Sequence, residues 1–143
     1  MGLYKTFKTD ENLETQGSVL DYGDFQVRIA YAGGANKRYT RYAEEKLKPL
    51  NRAIQTGALN EERSRKIMAD IYAETIILDW QTIVDEKPVK GIEGPDGEII
   101  EFNVENVKMT LENLPALFND IQDQANSIAV FRQKDLEDEA KNS

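Results

Sequence analysis

A chain of 143 residues, 40% hydrophobic and 31% charged, is the size of one ordinary domain and can close a single core beneath a heavily charged surface. It contains no cysteine, which excludes a disulfide framework, a zinc-thiolate site and thiol catalysis, and no histidine, which removes the commonest general base and neutral metal ligand. A net charge of −8 repels phosphate backbones, so general affinity for nucleic acid is not expected.

Residues 1–16 are polar and read as a loose lead-in. Lys5 and Lys8 have no apolar stretch behind them, so no secretory signal is expected, and no run approaches the roughly 20 apolar residues that span a bilayer. The expected compartment is the cytoplasm, with no membrane contact. Residues 17–31 predict a β-hairpin: Ser18 to Asp21 and Phe25 to Ala30 alternate, and Asp21-Tyr22-Gly23-Asp24 has turn chemistry. Phe25, Val27 and Ile29 would share one face of the second strand.

Ala32-Gly33-Gly34 breaks the strand, and Asn36 is placed to cap a helix from about Lys37 to Gln55. Its apolar stripe is Tyr39, Ala43, Leu47, Leu50 and Ile54, with Pro49 expected to kink or split it and Gly57 to stop it. Asn60 caps a second helix, in which Ile67, Met68, Ile71, Tyr72, Ile76, Ile77 and Trp80 draw a stripe wide enough for burial against two neighbours. Residues 85–97, punctuated by Pro88, Gly91, Gly94, Pro95 and Gly97, read as irregular, with Gly94-Pro95-Asp96-Gly97 a tight turn between short extended segments inside a loop over 85–102. Asn103 caps a short third helix with Val104, Val107, Leu111 and Leu114 on one face. Pro115 opens a fourth helix carrying Phe118, Ile121, Ala125, Ile128 and Leu136, which ends in an acidic run at Asp135 and Glu137 to Glu139. The expected fold is mainly α (α+β), one domain over 1–143: an N-terminal β-hairpin, then about four bundled helices over 36–140 with a turn-rich segment between the second and third.

Reactive groupings are scarce. No serine sits in a G-x-S-x-G turn, and Glu44-Glu45 and Glu61-Glu62 are helical neighbours that point about 100° apart. Asp96-Gly97-Glu98 lacks the flanking acids of a calcium loop, and Ala32 to Lys37 lacks the spacing of a phosphate cradle. No enzymatic activity and no cofactor or metal is expected. The basic residues from Lys37 to Lys66 include one aromatic-interleaved stretch, Lys37 to Tyr42, which as a helix reads as a solvated face with Tyr39 in the core. What remains is amphipathic surface. Leu117 with Phe118, Val130 with Phe131, and Ile76 with Ile77 each send apolar groups off two sides of a helix. Arg38, Arg41, Tyr42, Ile77, Leu117, Phe118, Val130 and Phe131 are therefore the candidate partner-binding residues, and the segregation of basic and acidic residues also suits self-association.

Taken in order, several features resemble the tail assembly chaperones of long-tailed (siphovirus-type) bacteriophages. They are the N-terminal extended segment, the Asn36 to Gly57 helix with Arg41, Leu47, Pro49 and Ile54, the helix ending at Trp80 and the Asp96-Gly97 turn. Phe102-Asn103, the Leu114-Pro115 helix start with Leu117 and Phe118, Phe131-Arg132 and the closing Lys141-Asn142 complete the pattern. The resemblance implies a small acidic protein without catalytic residues that binds the tape measure protein and recruits tail tube subunits. It further implies that the protein works in the host cytoplasm and is absent from the finished virion. Such proteins are often made in two lengths by a ribosomal frameshift, and Ala140-Lys141-Asn142 can be encoded as the slip-permitting GCA-AAA-AAC. The competing readings are a small structural tail connector or completion protein, and an acidic regulator that binds nucleic acid through residues 37–66.

Overall fold

A computed structural model describes residues 2–132. The expected last turns toward Leu136, the acidic run from Asp135 and the Lys141-Asn142 end lie outside the described residues.

The chain is α+β, and the expected hairpin-plus-helical-bundle is corrected. Strands β1 (Ser18–Asp21), β2 (Phe25–Ile29), β3 (Ile77–Val84) and β4 (Lys87–Lys90) form one antiparallel sheet in that order. A second, two-stranded sheet pairs β5 (Ile92–Glu93) with β6 (Ile99–Ile100). Helices α1 (Leu3–Phe7) and α2 (Glu11–Gln16) precede the sheet. Next come α3 (Lys37–Leu47), α4 (Asn51–Gln55) and α5 (Glu61–Thr75), and α6 (Val104–Asn113) and α7 (Pro115–Ala125) follow the strands.

The main correction is at residues 76–84. The second helix stops at Thr75, and Ile77 to Val84 is a strand, with Trp80 opposite Val27 and Thr82 opposite Phe25. The apolar spacing of Ile76, Ile77 and Trp80 is compatible with either period, and strand pairing decides it. The stretch is rich in β-branched residues, and β2 offers an open edge whose backbone groups need a partner. The irregular segment 85–97 is also corrected: it contains β4 and β5. Asp85 and Glu86 both take positive φ, 51° and 66°, forming a two-residue turn that returns β3 onto β4. Pro88 fits because β4 is an edge strand, where Lys87, Lys90 and the proline discourage further pairing.

One face of the large sheet, with Val27, Ile29, Ile77 and Trp80, is buried against Ile71 and Tyr72 of α5, Val107 and Leu111 of α6, and Phe118 and Ile121 of α7. The opposite face mixes Gln26, Arg28, Asp79 and Gln81 with Val19 and Ile83, and Gln81 Nε2 donates to Gln26 Oε1 across it at 2.7 Å. Pro49 splits the first long helix through a 3-10 turn at Lys48–Leu50, as its missing N–H requires. The fourth helix ends at Ala125, and a 3-10 turn at Ile128–Phe131 delivers Phe131, fully buried, into an edge-to-face contact with Tyr31, ring centroids 5.0 Å apart.

Asn36 is a buried junction: Oδ1 accepts from Tyr39 N while Nδ2 donates to the carbonyls of Tyr31 (2.8 Å) and Thr75 (3.4 Å). Residues 9–16 are fastened to the same region. Glu14 is 4% exposed, its Oε1 accepts from Thr9 Oγ1 at 2.6 Å, and its Oε2 accepts from Ala35 N at 3.2 Å. Gly34 makes this possible, since its φ is +51° and a Cβ there would overlap the Glu14 carboxylate.

Candidate protein-binding groove

At the Phe25 end of the sheet, three elements leave an open groove of about 670 Å³ between them. The β1–β2 turn supplies Asp24 and Phe25, the β5–β6 hairpin supplies Ile92, Glu93, Glu98 and Ile100, and the α6–α7 corner supplies Met109, Leu114 and Leu117.

Each wall is held by local chemistry. In the first, Tyr22 stacks on Phe25 at 4.8 Å, and its hydroxyl donates to Asp120 Oδ2 at 2.6 Å, fixing the turn to α7. Burial, and then this carboxylate, push the Tyr22 hydroxyl above the usual tyrosine range, so it stays a donor. In the second, Thr82 Oγ1 donates to the Gly91 carbonyl at 2.8 Å, docking the small hairpin on β3. Gly91 has φ +95°, and a Cβ there would overlap Ile99. A Cβ at Gly94 would meet only the mobile ends of Glu98 and Ile100, so Gly91 is the position where the hairpin requires glycine. In the third, Leu114 ends α6 and precedes Pro115, the first residue of α7, with φ −123° and ψ 76°. That corner turns Leu114 outward, 51% exposed, beside Met109 at 46%.

The groove therefore has an apolar floor and a rim carrying Asp24, Glu93 and Glu98, with no Lys or Arg among its lining residues. Large apolar side chains kept in water mark an interaction surface. Among the described residues, no three acidic side chains gather in metal-binding geometry. Tyr22, Tyr42 and Tyr72 all have hydroxyls pushed upward, Tyr72 to about 12 through burial and then the neighbouring Tyr39.

The eight residues singled out from sequence divide unevenly. Leu117 lines the groove. Ile77, Phe118 and Phe131 are buried core at 4%, 3% and 0% exposure, and Val130 packs half-buried against them. Arg38 pairs with Glu74 at 3.7 Å. Tyr42 donates to Asp70 Oδ2 at 2.9 Å, in a cluster where Lys46 and Lys108 approach the same carboxylate at 3.8 and 3.9 Å. Arg41 is exposed in a shallow depression on α3 beside Glu44 and Glu45. Arg65 pairs with Glu61 and Lys66 with Glu62, so carboxylates interleave with the basic residues along α5. Sequence reasoning missed Phe25, Ile92, Ile100, Met109 and Leu114 as one surface. Leu114 directly before Pro115 was the available signal, because a helix corner cannot bury every apolar group it carries.

No helix of the described residues is long and apolar enough to cross a membrane. A family model described as YdaY prophage protein matches residues 34–142, about three-quarters of the chain. No curated protein and no solved structure matches.

Proposed function

The chain belongs to the YdaY prophage protein family and is phage-derived, and from that premise we propose that it is a non-enzymatic tail assembly chaperone. In this reading it binds the tape measure protein in the host cytoplasm, recruits tail tube subunits, and leaves before the virion is complete. The order of sequence features from Asn36 to Phe131 supports the tail-specific part.

One observation carries the binding role: an apolar groove floored by Phe25, Leu114 and Leu117 stands open to solvent behind an acidic rim. A long helical client exposes apolar stripes that aggregate until the tail tube encloses them, and such a groove covers them one short segment at a time. Two anchoring side chains contribute roughly 3–6 kcal/mol by burial, and association costs of similar size leave weak, reversible binding. Weak binding suits a chaperone, because the tube must displace it.

Co-expression with the tape measure protein is the test. Wild-type chain should keep the client soluble, Leu117→Glu should not, and purified virions should contain none of the chaperone by mass spectrometry. Stoichiometric presence in virions would refute the reading in favour of a structural tail component.

A further inference from the structure

The three most exposed large apolar side chains among the described residues lie together at the N-terminus: Tyr4 at 79%, Leu3 at 71% and Phe7 at 61%. They belong to α1, and Leu3 and Phe7 fall on one helical face four residues apart. The segment from Gly2 to Thr9 includes Lys5 and Lys8 and no acidic residue. The chain thus has an uncovered apolar segment with basic residues, and elsewhere an open apolar groove with an acidic rim and no cation in its lining.

Within one molecule the two are held apart. The N-terminal segment is tied to the far end of the sheet: Asp10 N donates to the Phe131 carbonyl at 2.8 Å, and Arg132 Nη1 donates to the Thr6 carbonyl at 3.1 Å. Phe131 packs on Tyr31, just beyond Ile29, whereas the groove begins at Asp24 and Phe25. The length of β2, about 13 Å at ~3.3 Å per residue, separates the two.

We propose that the N-terminal arm of one copy docks in the groove of a second copy, placing Leu3 and Phe7 against Leu114 and Leu117 and Lys8 near Asp24, Glu93 and Glu98. The contact is heterologous, because its two halves are different patches at opposite ends of the subunit, so it propagates head to tail. The rim charges make it salt-sensitive. The arm and a client would compete for one groove, yet the self-contact stands whether or not the client is a tape measure protein.

Mixing complementary variants tests this. Phe7→Glu and Leu114→Glu change exposed positions, so both should fold, which circular dichroism checks. Sedimentation should show wild type associating with rising concentration and dissociating with added salt, and each variant alone remaining at the 16.3 kDa monomer mass. An equimolar mixture of the two should form a species of twice that mass, since one intact arm meets one intact groove. Wild type that stays monomeric at millimolar concentration, or a mixture that fails to pair, overturns the proposal. Phe7→Glu should still capture the client, which separates failure of self-docking from failure of the chaperone reading.

Discussion

Phe131 separates a core residue from an interface residue. Its side chain is fully buried, its ring lies edge-to-face with Tyr31 at a centroid separation of 5.0 Å, and its carbonyl accepts from Asp10 N at 2.8 Å. Phe131→Ala removes a buried ring and leaves a cavity between the last 3-10 turn and the strand end, a change that costs about 3–5 kcal/mol. Against a total stability of roughly 7–20 kcal/mol for a domain of this length, that is a large fraction. Urea unfolding followed by tryptophan fluorescence reads it through Trp80, the single tryptophan. The midpoint should fall with little change in slope. Val130→Ala, at a half-buried neighbour, should cost less than about 1.5 kcal/mol. A Phe131→Ala protein as stable as wild type but unable to bind its client would refute the assignment to the core.

Other positions give equally direct outcomes. Glu86→Gly relieves a positive φ of 66° on an exposed turn residue, so thermal unfolding should rise by about 2–4 °C, for a net gain near 1 kcal/mol. Gly34→Ala forces a Cβ onto the Glu14 carboxylate at φ +51° and should cost at least about 1–2 kcal/mol by denaturant titration. Tyr72 has its hydroxyl raised in the fold from 10.0 to about 12, so it stabilises the native state fully below pH 10 and loses that contribution as pH rises toward 12. The loss is about 3 kcal/mol, and Tyr72→Phe should make the alkaline decline shallower by that amount while Tyr22 and Tyr42 keep the rest of it.

Local chemistry made much of the fold legible. The β1–β2 hairpin, the caps at Asn36, Asn60 and Asn103, the break at Pro49 and the helix start at Pro115 each depend on a few adjacent residues. The sheet was not legible, because pairing β2 with β3 brings Val27 to Trp80 across more than fifty residues. Ile76, Ile77 and Trp80 fit a helical stripe as well as a strand face, and the helix just before them biased the reading. The edge strand β4 was hidden by Pro88, whereas the tight turn from Gly94 to Gly97 between short extended segments was legible from its glycines and proline and is the β5–β6 turn. The groove is a product of this missed pairing. Phe25, Ile92 and Leu114 belong to three segments that only the completed sheet brings together, so apolar neighbours along the chain pointed instead to Phe118 and Phe131.

Titration of the folded protein with an apolar helical segment of the tape measure protein decides whether the acid-rimmed apolar groove is the working surface. Saturable, micromolar or weaker binding that Leu117→Glu abolishes and Arg41→Glu leaves intact is the expected result. Binding that survives Leu117→Glu and disappears with Arg41→Glu would move the function to the α3 face and contradict the account.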